Sequence, residues 1–393
     1  MSKIHLIATS AFGIEAVVGR ELRNLGYEDQ SVENGRVIFS GDEKAICKTN
    51  LWLRTAERVL VRVGEFTALS FEELFEKTKA LPWDEWIPEN AEFPVEGKSI
   101  NSKLFSVPDC QAIVKKAVVE KLRQKYNRQW FDETGPRYVI EISLLKDVAT
   151  LTIDTSGAGL HKRGYRKLVG EAPLKETLAS AMLLISRWNK DRVLIDPFCG
   201  TGTIPIEAAL IGRNIAPGLN REFVSEQWPS IPKKLWTEAR EEARNMSVPE
   251  RELIIHGYDI SEDAISLARY HTKQAGVEDC IHLQRRAVAD LSTKYKYGVI
   301  MCNPPYGERL GEIKEVEKLY KQMGTVIRPL DTWSYYIISS HPEFERLFGK
   351  RADKKRKLYN GRIQCNYYQY FGPVPPRKKP ELPAEQPAGV KND

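Results

Sequence analysis

The chain has 393 residues, enough for two or three domains with sizeable cores. Its 59 Lys and Arg against 53 Asp and Glu give a net charge of +6, and 42% of residues are hydrophobic. That balance excludes wholesale disorder and permits, without requiring, a polyanionic partner. No apolar run reaches the ~18 residues of a membrane span, so no membrane association is expected. The N-terminal MSKIHLIATSAFGIEAVVGRE lacks the basic, apolar and small-residue order of a secretory signal. Six cysteines (Cys47, Cys110, Cys199, Cys280, Cys302, Cys365) lie far apart without a CxxC pair. They suit a reducing cytoplasm rather than a zinc site or disulfide framework, and no metal is expected.

In chain order, KIHLIA reads as a short strand, and Phe12–Leu25 carries helical spacing (Ile14, Val17, Val18, Leu22, Leu25) that stops at Gly26. Strands follow at Arg36–Gly41 and Glu57–Phe66, the second alternating at Val59, Val61 and Val63. Ser70 with Glu73 forms a capping-box pattern that opens a helix over Ser70–Leu81. EFPVEGKSI and RYVIEISLLKDVATLTIDTS read as strands flanking a basic helix at Asp109–Tyr126. This α+β portion contains no phosphate loop and no catalytic constellation.

From about Lys162 the pattern becomes a strict alternation. Apolar strands recur at Arg192–Asp196, Glu252–Asp259, Cys280–Ala287, Gly298–Cys302 and Trp333–Ser340. Helical segments separate them at Lys175–Trp188, Ile204–Gly212, Ser261–Ala275 and Lys314–Ile327. Such a rhythm implies a parallel, doubly wound sheet that binds ligands at the carboxyl ends of its strands. The terminal PVPPRKKPELPAEQPAGVKND reads as a solvated tail.

Two segments carry chemistry. In VLIDPFCGTGTIPIEAA a strand ends at Asp196, and a turn through Pro197, Phe198, Cys199, Gly200, Thr201, Gly202 and Thr203 leads into a helix. Its glycines permit positive φ and close ligand approach, and the helix start offers free N–H groups. The absence of a GK[ST] ending argues against a P-loop. In VIMCNPPYGERLG a buried strand stops at Asn303-Pro304-Pro305-Tyr306. Consecutive prolines fix extended geometry, hold Asn303 at the strand tip and leave both proline carbonyls unclaimed by a ladder. The Asn303 oxygen beside such a carbonyl makes an acceptor pair suited to an exocyclic amino group, and Tyr306 is positioned to stack on a displaced base. Cys302 reads as packing rather than as a nucleophile.

Together, Asp196–Ala209 and Asn303–Tyr306 resemble the first and fourth motifs of class I S-adenosylmethionine-dependent amino-methyltransferases. The resemblance implies a Rossmann-like α/β domain that binds S-adenosyl-L-methionine through the glycine turn (Asp196 to Thr203) and Asn303. It also implies that Asp259, followed by Ile260, binds the ribose hydroxyls, and that Asp290 lies by the adenine. Asn303, Pro304, Pro305 and Tyr306 would be catalytic, with acceptors at Asn303 and Pro304 localising the amine lone pair toward the methyl group. More chain separates Asp196 from Asp259 than the ~20 residues of a dinucleotide fold. The excess, about 213–249, resembles an insertion in RNA methylases that carry a THUMP domain, and Leu160–Leu183 is similar to their signature before the first motif.

On that resemblance the expected division is a ferredoxin-like segment at 1–43, a THUMP domain at 44–155, a methyltransferase domain at 156–372 and a flexible tail at 373–393. The implied activity is methylation of guanine N2 in large-subunit ribosomal RNA. Three alternatives stay open: adenine-N6 methylation of DNA, guanine-N2 methylation of tRNA, and a non-catalytic RNA-binding assembly factor. Three basic clusters are candidate RNA contacts: Lys115, Lys116, Lys121, Arg123, Lys125 and Arg128; then His161, Lys162, Arg163, Arg166 and Lys167 around Tyr165; and finally Lys350 to Lys357. A monomer is the default expectation.

Overall fold

The computed structural model describes residues 3–168, 174–307 and 313–376. Outside them lie most of the expected tail, residues 169–173 of the Leu160–Leu183 signature, and the end of the segment after Gly307. The first half runs β1 (Ile4–Thr9), α1 (Glu15–Asn24), β2 (Gln30–Glu33), β3 (Arg36–Gly41), α2 (Glu43–Trp52) and β4 (Arg58–Thr67). It continues with α3 (Phe71–Lys79), α4 (Trp83–Trp86), β5 (Val95–Ile100), α5 (Val107–Tyr126), β6 (Ile140–Leu145) and β7 (Val148–Asp154).

Local chemistry sets these boundaries. Helix α1 begins at Glu15 rather than Phe12 because Gly13 holds φ +91°, outside helical space. Asp42 caps α2 by accepting from the Ala45 N–H. At α3 the Ser70 hydroxyl accepts from Glu73 N–H, while the Glu73 carboxylate accepts from Leu69 N–H, one residue beyond a closed capping box. Lys146 and Asp147 both take positive φ, which turns β6 tightly into β7.

These strands form one seven-stranded sheet in the order β2-β3-β1-β4-β7-β6-β5. Strand β4 joins its two sides, pairing antiparallel with β1 through Arg58–Val61 and with β7 through Leu60–Thr67. A bulge between Arg62 and Gly64 shifts the second register.

The second half runs α6 (Glu176–Ile185), β8 (Leu194–Asp196), α7 (Thr203–Gly212), α8 (Lys233–Asn245), β9 (Ile255–Asp259), α9 (Glu262–Ala275) and β10 (Ile281–Arg285). After these come β11 (Val299–Cys302), α10 (Ile313–Ile327), β12 (Ser334–Ser339), α11 (Phe344–Phe348), β13 (Lys354–Asn360) and β14 (Ile363–Tyr370). The sheet order is β10-β9-β8-β11-β12-β14-β13. It is not wholly parallel as the alternation implies, because β14 runs against both β12 and β13. The reason is the two-residue Gly361-Arg362 turn between the paired Asn360 and Ile363, with Gly361 at φ +63°, which folds the chain straight back where a parallel crossover needs a dozen residues or more.

The insertion packs on the other half of the molecule. Trp228 stacks on Tyr138 with centroids 4.3 Å apart, and its Nε1 donates to the Arg137 carbonyl at 3.0 Å. Phe223 stacks on Trp236 at 5.2 Å, and both join the first-half core with Ile231, Ala239 and Ala243. Burying several large aromatics is worth roughly 1.5–3 kcal/mol each, so this segment ties the two halves together.

Candidate active site

Strand β8 lies between β9 and β11, with Asp196 opposite Gly257 and Ile195 opposite Ile300. This register brings the carboxyl ends at Asp196, Asp259 and Cys302 to one edge. The turn after β8 is anchored there by Cys199 N–H donating to the Tyr258 carbonyl and Gly202 N–H to the Cys199 carbonyl, each at 2.8 Å. Gly200 and Gly202 both take positive φ, +52° and +88°. A Cβ on Gly202 would crowd Ala268 of α9, whereas one on Gly200 would meet nothing within 4 Å. The turn is therefore packed behind and open in front.

Asp259 couples the two strand ends. One carboxylate oxygen accepts from Gly200 N–H and the other from Ser261 N–H, each at 3.0 Å. Asp196 is buried and accepts from Phe198 N–H at 3.0 Å; burial, with Asp259 nearby, pushes its carboxyl well above the usual range. Thr201 Oγ1 is buried without a hydrogen-bond partner among the described residues. Ile260 stands 70% exposed beside Asp259. Asp290, in a short 3-10 turn after β10, is exposed, and its carbonyl accepts from Arg286. Pro197 and Cys199 are buried, Phe198 partly so, and burial raises the Cys199 thiol.

Beyond β11, the Tyr306 hydroxyl donates to Asn303 Oδ1, and Asn360 Nδ2 donates to the Tyr306 oxygen at 3.4 Å. Asn303, Tyr306 and Asn360 thus form a hydrogen-bonded chain beyond the strand tip. No strand ladder takes the Pro305 carbonyl; instead Tyr320 of α10 donates to it at 2.7 Å and hydrogen-bonds Ser339 Oγ at 3.0 Å. Pro304 keeps a carbonyl without a donor among the described residues. Tyr306 is half-buried, its ring packed in part against the core, and burial raises its phenol. Cys302 is fully buried and its thiol is raised, first by burial and then by Asp196, which fits packing.

The basic candidates separate into engaged and unengaged groups. Lys115 pairs with Glu133 and donates to the Phe93 carbonyl, Lys121 meets Asp84 at 3.5 Å, Arg123 meets Glu120 at 2.8 Å, and Arg128 meets Glu89. Lys116 and Lys125 are exposed, with no ion pair among the described residues. In the second cluster Lys162 and Lys167 are exposed, but Arg163 is buried, and Arg166 donates to Thr203 Oγ1 at 2.6 Å and pairs with Glu176 at 3.2 Å. Tyr165 is buried as well, so this cluster contributes structure more than surface.

What the motifs did not reveal is the scaffold behind the turn. Glu207, one turn into α7, accepts from Arg163 Nη2 at 3.2 Å, from Tyr165 at 3.3 Å and from Ser180. Arg163 also donates to the Leu160 carbonyl at 2.8 Å and to the Arg54 carbonyl in the first half. His271 of α9 lies with Nδ1 3.1 Å from the Thr201 carbonyl, and burial lowers its pKa, favouring the neutral ring. None of these has a local sequence signature. Gly361-Arg362, next to Asn360, does, as a hairpin turn with glycine at its first central position.

Among the described residues no helix is long and apolar enough to cross a membrane, and no group of three or more His, Cys, Asp or Glu could hold a metal.

Comparison with known proteins places the chain. Residues 163–369 match the RMKL-like methyltransferase domain, 5–60 the RlmL ferredoxin-like domain and 68–154 the THUMP domain. The chain is 55% identical to "Putative RNA methyltransferase YpsC" of Bacillus subtilis, covering 96% of this chain and 99% of that one. It is 34% identical to "Ribosomal RNA large subunit methyltransferase K/L" of Syntrophotalea carbinolica, covering 93% of this chain and 53% of that protein. Among solved structures, SMU.472 complexed with SAH is 47% identical with a TM-score of 0.91, covering 96% of this chain and 100% of that one. A Listeria monocytogenes structure described as a "predicted N6-adenine-specific DNA methylase" is 53% identical, also with a TM-score of 0.91, covering 95% and 97%. The chain belongs to the RMKL-like methyltransferase family, in which its methyltransferase domain follows an RlmL-type ferredoxin-like domain and a THUMP domain.

Proposed function

We propose that this protein methylates an exocyclic amino group of an RNA base with S-adenosyl-L-methionine, with guanine N2 in 23S ribosomal RNA as the target. One observation carries the reading: the open glycine turn, Asp259 and the Asn303 tip share one sheet edge in a chain that also has a THUMP domain. The name of the ribosomal RNA K/L relative supports the ribosomal target. We further propose the division 1–43, 44–155, 156–372 with its 213–249 insertion, and a tail from 373, in a cytoplasmic protein.

The residues present fit the cofactor. The turn holds a buried Thr201 hydroxyl without a partner among the described residues, and its Gly200 leaves open space. Asp259 retains lone pairs for ribose hydroxyls, Ile260 offers an exposed apolar surface for the adenine, and Asp290 is exposed after β10. S-adenosylmethionine supplies an electrophilic methyl carbon on a sulfonium.

An aromatic amine is a weak nucleophile because its lone pair is delocalised into the ring. The second lone pair of Asn303 Oδ1 and the free Pro304 carbonyl accept its two N–H groups and hold the nitrogen toward the donor. Tyr306 donates to Asn303, and Pro305, held by Tyr320, keeps the segment rigid. Positioning of this kind removes much of the barrier to a transfer between bound partners. Tyr306 and Cys302 both hold their protons, so the proton leaves the product amine to solvent.

The test is methyl transfer from tritiated S-adenosylmethionine to total RNA and genomic DNA of a strain lacking the gene, followed by nucleoside mass spectrometry. N2-methylguanosine in 23S RNA supports the reading. Label confined to DNA as N6-methyladenine, or no label in either, overturns it.

A further inference from the structure

The loop between β1 and α1 is held rigidly against the far end of the methyltransferase sheet. Ser10 N–H donates to the Gly35 carbonyl at 2.9 Å, and the Glu15 carboxylate accepts from Gly13 N–H at 2.9 Å and Gly35 N–H at 3.0 Å. A Cβ on Gly13 would lie 2.5 Å from the Lys357 carbonyl, so only glycine lets the loop close on β13. Ile14 and Val17 sink into the methyltransferase core with Leu358, and Ala11 packs against it. Between these buried neighbours Phe12 stays 57% exposed, its ring edge-on to Tyr359 with centroids 6.2 Å apart.

A single exposed apolar side chain is ordinary. This one stands on a preorganised loop, is paired with a second aromatic, and sits against the strand whose last residue, Asn360, reaches the proposed reaction centre. Tyr359 adjoins Asn360, which donates to Tyr306, which in turn donates to Asn303. Along β13 and its turn, Lys354, Arg356, Lys357 and Arg362 have no carboxylate partner among the described residues, whereas Lys355 meets Glu345 at 2.8 Å.

We propose that Phe12 and Tyr359 form a base-stacking subsite for an RNA nucleotide next to the target, with the unpaired cations of β13 and its turn taking the adjoining phosphates. The proposal rests on the reading of the protein as an RNA base methyltransferase. Extruding a target base leaves its neighbours unstacked, and an aromatic face replaces the lost stacking without demanding a particular base. The ferredoxin-like segment thereby contributes directly to the substrate entrance.

The experiment measures initial rates of methyl transfer by the full chain to total RNA from the deletion strain, alongside SAH affinity by calorimetry and thermal denaturation. Phe12→Ala is expected to raise the apparent KM for RNA about tenfold (about 1.4 kcal/mol), with kcat, SAH affinity and melting temperature unchanged. Phe12→Trp restores the KM, while Phe12→Leu, which keeps bulk but no aromatic face, behaves like Phe12→Ala. A wild-type KM in Phe12→Ala overturns the proposal, and so does a Phe12→Leu variant as good as wild type. A parallel loss of SAH affinity or stability also overturns it, marking Phe12 as a structural strut. Absence of transfer by the unmodified chain refutes the underlying activity, and the subsite with it.

Discussion

Replacing Glu207 tests how the halves of the molecule are held. Its carboxylate is the only anion hydrogen-bonded to Arg163 among the described residues, and both side chains are buried. Glu207→Leu leaves a desolvated guanidinium facing only the Leu160 and Arg54 carbonyls, and strips acceptors from Ser180 and Tyr165. Breaking a buried pair from one side costs roughly 3–5 kcal/mol. In the double variant Glu207→Leu with Arg163→Met both members of the pair go; what remains is unpaired neutral polar groups, roughly 1–3 kcal/mol, and the buried Arg54, which loses Glu207 but keeps Glu21. Urea unfolding should therefore show each single variant destabilised about 2 kcal/mol more than the double variant, so that the two single losses together exceed the double loss by about 6 kcal/mol. Additive losses across the cycle would refute the argument that desolvated charge dominates at this junction.

Other outcomes follow from the site. Asn303→Ala should slow transfer about a hundredfold by misplacing the amine while leaving SAH affinity by calorimetry intact. Asp259→Ala, which removes the acceptor for Gly200 and Ser261 N–H, should weaken SAH binding about tenfold before it affects anything else. Charge reversal at the unpaired Lys354 and Lys357 should weaken RNA binding and flatten its salt dependence by roughly 0.7 per lost phosphate contact, read by filter binding across a salt series. The same reversal at Lys115 should instead lower stability, because that side chain is already committed to Glu133 and Phe93. Burial alone would raise Glu57, but His161, Lys175 and Thr177 hold its carboxyl down to about 2. The stability it contributes is complete above pH ~5 and is lost as pH falls from its unfolded value toward 2, which urea midpoints at successive pH values would record.

Much of the fold was legible because periodicity reports burial directly. The alternation at Val59, Val61 and Val63 and the helical spacing around Val17 and Leu22 name core-facing positions, and these are buried or nearly so. Helix α8 and the role of its segment were not legible in this way. Its Trp236 and the neighbouring Trp228 satisfy a core distant in sequence, and no local period encodes that partner. The orientation of β14 turned on two residues, Gly361 and Arg362, whose turn geometry overrides the parallel rhythm before them.

The candidate site divides along the same line. The residue types at the strand ends, the glycines of the turn and the paired prolines are dictated by backbone constraints that any reader of the chain can apply, so the amino-acid sequence by itself determined where ligand chemistry could sit. Only the tertiary structure decided which groups remain available for it. Tyr320 arrives from another helix to take the Pro305 carbonyl, Asn360 arrives from a distant hairpin to hydrogen-bond Tyr306, and carboxylates from other elements neutralise much of the Lys115–Arg128 cluster. Hydrogen bonds and ion pairs form between groups that are close in space, and closeness in space is set by how whole sheets and helices pack.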